Sequence, residues 1–119
     1  MDAEKKSALE GLGVDFVPTM ERFVDNEGLY LKCLDKLLAD KNYGMLLEAI
    51  RDGDVNAAFE ASHALKGVSA NLGLDRLYRE LKIIVEVFRS GSLDYDPENF
   101  ERLKAVYEET TATIKEVLK

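Results

Sequence analysis

Apolar residues recur at three- and four-residue steps along most of the chain, and no stretch alternates apolar with polar well enough to make a strand. After a polar lead-in over residues 1–13, Pro18 suits the first turn of a short helix that carries Met20, Phe23 and Val24. Asp25-Asn26-Glu27-Gly28 interrupts it and offers a cap to the next helix. There Leu29, Tyr30, Cys33, Leu34, Leu37 and Leu38 keep a helical period. A kink is predicted over 39–43, and Gly44 weakens the helix just beyond it. Met45, Leu46, Leu47, Ala49 and Ile50 then resume the pattern.

Asp52-Gly53-Asp54 reads as a turn, with Asp54 the N-cap of a helix over 55–72 that Gly73 ends. The next helix starts near Leu74, with Asp75 in its first turn, and buries Leu77, Tyr78, Leu81, Ile84, Val85 and Phe88. A loop over 90–96 leads to Asp96-Pro97, a strong helix start. Phe100, Leu103, Tyr107, Thr110, Ile114 and Val117 follow at bundle spacing. Short turns between long helices favour antiparallel neighbours. The expected fold is all-α: an antiparallel up-and-down four-helix bundle over 14–119, with a short N-terminal helical lid.

The helix over 55–72 stands apart. Ala58, Ala61, Leu65, Val68 and Leu72 fall in a stripe roughly 80° wide when residues are placed 100° apart. His63, the only histidine, lies opposite that stripe and so faces solvent. Phe59 and Gly67 flank it one turn either side, with Lys66 at i+3 and Ala70 two turns on. A neutral imidazole is a nucleophile near pH 7 and can carry a phosphoryl group on a ring nitrogen. Lys66 places positive charge where negative charge gathers during transfer, and Gly67 leaves room for a partner and the phosphoryl oxygens.

Composition narrows the choice. The net charge of −7 over 119 residues argues against nucleic acid and against an anionic membrane face. No apolar run is long enough for a membrane span, and the N-terminus has no signal-peptide core. One cysteine, Cys33, cannot form an internal disulfide, which fits a reducing cytosol. Glu60 and His63 have the spacing of a di-iron bundle ligand pair, but such a site needs that pair twice, so no metal site is expected. Gly11-Leu12-Gly13 does not continue as a nucleotide-binding loop.

The run His63, Leu65, Lys66, Gly67, Ser69, Leu72 and Gly73 resembles the histidine-containing phosphotransfer (HPt) domain, in its bacterial rather than plant form. The resemblance extends from about Val14 to the C-terminus. It implies a freestanding phosphoryl carrier, not a kinase: His63 takes a phosphoryl group from, or gives it to, the aspartate of a response-regulator receiver domain. A hybrid sensor histidine kinase is the other implied partner. The expected protein is a cytoplasmic monomer with no cofactor of its own. The face carrying His63, Lys66, Gly67 and Ala70 offers no carboxylate cluster, so Mg²⁺ is expected from the receiver.

Relatives carry a Gln or Glu on the next helix that orients the imidazole. Val85 stands at or beside that position, a departure from the pattern; Glu86 and Lys82 are the alternatives, and an ordinary solvated face is a third. Phe59, Ala70, Glu86 and Arg89 are the expected partner-binding residues. Ser69 and Asn71 are expected to brace the helix end. Two rival readings keep the fold but change the role. A docking or inhibitory module would have no need of His63 beside Lys66 and Gly67. A general-base enzyme would lack a visible acid or pocket.

Overall fold

The computed structural model describes residues 1–119 and contains seven helices and no strand. They are α1 (Ala3–Glu10), α2 (Phe16–Arg22), α3 (Glu27–Leu38), α4 (Asn42–Asp52), α5 (Val55–Asn71), α6 (Asp75–Arg89) and α7 (Pro97–Val117). Helix α4 packs on α5, α5 on α6 and α6 on α7, while α3 closes the ring against α7. Counting α3 and α4 as one broken helix gives a four-helix bundle, drawn out to 43 × 24 × 21 Å.

The helix boundaries follow local chemistry. The side chains of Asn26, Asp54 and Asp96 each accept a backbone N–H in the first turn that follows, at 3.0, 3.0 and 2.9 Å. Pro97 opens α7 at a position where no N–H is needed. Helix α5 ends in a Schellman turn: Gly73 has φ +73°, its N–H donates to Ala70 O, and Leu74 N–H donates to Ser69 O.

Leu34, Leu37, Leu46, Leu65, Leu77, Leu81, Ile84, Leu103 and Ile114 are fully buried and form the centre of the core. The inner side of α5 is small: Ala58, Ala61, Ser62 and Ser69 are buried beside Leu65. Ser62 and Ser69 return their hydroxyl protons to Ala58 O and Leu65 O, at 2.7 and 2.8 Å, which satisfies them without a partner helix. A small inner face lets α4 and α6 pack closely on α5.

Three expectations change. The lead-in is polar in composition, yet α1 packs on α7 and buries Leu9, and the turn that follows it buries Leu12 in the core. A helix this short, with one buried leucine, shows too little periodicity to reveal the anchor. Second, α2 ends at Arg22, before Val24, which is 85% exposed. Val24 and Asp25 adopt φ of +53° and +56° so that the chain can turn and place Asn26 as the cap of α3. Third, Tyr78, Phe100 and Tyr107 are only half-buried, while Val106 and Asn99 join the core instead.

Candidate functional site

Helix α2 covers the end of the bundle where α5 stops. The Arg22 guanidinium donates to Ala70 O and Asn71 O, both at 3.1 Å, so a cation caps the negative end of α5. The buried Tyr30 hydroxyl donates to Leu72 O at 2.8 Å. Thr19, also buried, sits where a Cβ on Gly73 would overlap it. Ser69 braces the helix as expected; Asn71 contributes only its carbonyl. None of the three groups that lock this end could be read locally, because they lie 42 to 54 residues from their partners.

On this braced helix His63 is exposed, with Ala64, Gly67 and Ala70 also open on the outer side. Its ring makes no hydrogen bond. It stacks instead on Phe59, with centroids 5.3 Å apart and planes inclined by 27°. A Cβ built on Gly67 would meet nothing within 4 Å, so the space beside the imidazole is free. Lys66 is half-buried and forms no ion pair, which leaves its ammonium available.

Helix α6 runs alongside. Val85 is fully buried and offers the ring nothing polar. Glu86 and Lys82 are exposed, and neither hydrogen-bonds His63. Glu86 accepts from Arg89 Nε at 3.2 Å, and the Arg89 guanidinium lies over the Phe59 ring, 5.0 Å from its centroid. Of the expected partner-facing residues, Phe59, Glu86 and Arg89 thus form one contact chain that ends at His63. Ala70 stands apart from it, near the end of α5.

No three His, Cys, Asp or Glu side chains converge anywhere in the protein to hold a metal ion. No helix is long and apolar enough to cross a membrane. Cys33 is half-buried against the core.

An exposed imidazole on a helix of an all-α bundle is what the resemblance to a phosphotransfer domain leads one to expect. The chain matches the model of the Hpt domain over residues 21–113, most of its length, and belongs to that family. Hpt domains carry phosphoryl groups on histidine in the phosphorelays of two-component signalling, exchanging them with receiver domains and kinases. They are carriers without an ATP site of their own. No curated protein and no solved structure matches the chain.

Proposed function

We propose that His63 is the residue that carries the phosphoryl group, and that the donor or acceptor is the aspartate of a receiver domain. The supporting observation is the setting of the ring: exposed, at the middle of a helix whose far end is locked, with open space at Gly67. A neutral imidazole nitrogen attacks the phosphorus of an aspartyl phosphate. The N–P bond forms, the acyl P–O bond breaks, the aspartate leaves as carboxylate, and the other ring nitrogen gives up its proton. The reverse sequence returns the group to a second receiver.

Lys66 supplies positive charge to the transferring oxygens, and Gly67 admits the partner. Mg²⁺ would come with the receiver, held in its acidic pocket, and would neutralise the equatorial oxygens. Phe59, Ala70, Glu86 and Arg89 border the face the receiver meets. The protein works as a cytoplasmic monomer, taking its phosphate from a hybrid sensor kinase by way of a receiver.

The test is to mix the protein with a receiver phosphorylated on aspartate, with and without a chelator, and to follow the label. Mg²⁺-dependent labelling supports the proposal. No labelling by any receiver would make the chain a docking module of the same fold.

A further inference from the structure

No residue of α6 hydrogen-bonds the imidazole, and Val85 on that helix is fully buried. The ring nonetheless has a fixed neighbour. We infer that Phe59 is a positioning residue: its ring is the platform that sets the plane of His63, and Arg89, tethered by Glu86, clamps the platform from α6.

Phe59 and His63 are four residues apart on α5, so their side chains meet on one helix face. The rings lie 5.3 Å apart at 27°, an offset stack of the kind aromatic pairs favour. The platform is itself anchored, because Phe59 is half-buried and packed against the core. The Arg89 guanidinium over it, at 5.0 Å, adds a cation–π contact that ties α6 to α5 beside the site. On its other side the Arg89 Nε donates to Glu86 at 3.2 Å, one turn earlier on α6.

The consequence is mechanistic. An imidazole free to rotate about its second side-chain torsion presents its nitrogen to phosphorus only part of the time. A flat surface beneath the ring removes much of that freedom before a partner arrives, and misplacement of reacting atoms by about 1 Å can cost ~100-fold in rate. A docking contact and a platform therefore make different demands on Phe59. Docking needs apolar bulk at the interface; a platform needs a flat ring.

The inference about transfer rests on His63 being the carrier, so its test has one arm that does not. Phe59→Leu keeps apolar bulk and loses the flat ring; Phe59→Tyr keeps it. In proton NMR of the protein alone, the His63 ring protons should carry ring-current shifts that vanish in Phe59→Leu and persist in Phe59→Tyr. In transfer from a phosphorylated receiver, Phe59→Leu should lower the rate at saturating receiver by about tenfold, apart from any change in the half-saturating concentration. Phe59→Tyr should restore the rate. A raised half-saturating concentration with an unchanged maximal rate would make Phe59 a docking contact and overturn the inference. Unshifted His63 protons in the unaltered protein would overturn it without any partner. A wild-type protein that shows the shifts yet takes no phosphate would instead defeat the carrier reading and leave the ring geometry standing.

Discussion

The hydroxyl of Tyr30 donates a 2.8 Å hydrogen bond to the carbonyl of Leu72, in a place where neither residue meets water. The bond joins α3 to the last turn of the helix that carries His63. Tyr30→Phe keeps the edge contacts with Phe16 and Phe23 but leaves a buried carbonyl unpaired. Its stability should fall by about 1–3 kcal/mol in chemical denaturation.

The same residue gives the protein an alkaline limit. Burial pushes the Tyr30 phenol well above its ordinary range, against a smaller downward pull from Arg22. Above pH about 10 the unfolded chain loses this proton and the folded chain keeps it. The unfolded state then binds fewer protons, so stability present below that pH is lost as pH rises, by up to about 1.4 kcal/mol per unit for this one group. Burial also raises the phenols of Tyr43 and Tyr107. Denaturation curves across pH 9–12 should therefore show a decline that Tyr30→Phe makes shallower without abolishing.

Two glycines share a backbone conformation and differ in their surroundings. Gly53 and Gly73 have φ of +72° and +73°, but a Cβ on Gly53 would meet nothing, and one on Gly73 would overlap Thr19. Gly53→Ala should lose only the left-handed penalty of about 1–2 kcal/mol. Gly73→Ala should lose that and a further ~1–3 kcal/mol for overpacking. The excess should shrink in a Thr19→Ala background, which a double-mutant cycle measures.

Val24 is β-branched, exposed and left-handed, with φ +53°. Val24→Asn should raise stability by about 1 kcal/mol, because asparagine tolerates this region and nothing packs on the valine to be lost. An unchanged or lower melting temperature would show that the turn is not strained.

At the site itself, Lys66→Ala should slow phosphoryl transfer and change stability by less than about 0.5 kcal/mol, since the lysine makes no ion pair. Gly67→Ala should raise the melting temperature, as helix propensity gains up to about 1 kcal/mol and the added methyl has free space. Gly67→Leu should slow transfer with the fold intact; if it unfolds the protein, the glycine serves packing and not access.

The sequence foretold most where one residue's chemistry sufficed. Caps at Asn26, Asp54 and Asp96, the stop at Gly73 and the outward face of His63 are all consequences of spacing within a few residues. The locking of α5 by Arg22, Tyr30 and Thr19 was invisible, because those contacts exist only once α2 and α3 have folded over the bundle end. Leu9 sits in a helix too short to show a period, and Leu12 lies between two glycines in the turn after it. The stack of His63 on Phe59 lies within reach of the four-residue spacing, but the Arg89 guanidinium over Phe59 comes from another helix and shows only in the fold.

The most direct measurement is of the phosphorylated residue itself. Wild-type protein and His63→Gln are each incubated with a phosphorylated receiver and Mg²⁺, and the label is challenged with acid and with base. Wild-type protein should be labelled once, with phosphate lost in acid and kept in base, as a phosphoramidate requires. His63→Gln should stay folded by circular dichroism and take no label, because the change lies on the solvent side of α5. Labelling of the His63→Gln protein, or an acid-stable label on the wild type, would contradict the assignment of His63 as the carrier.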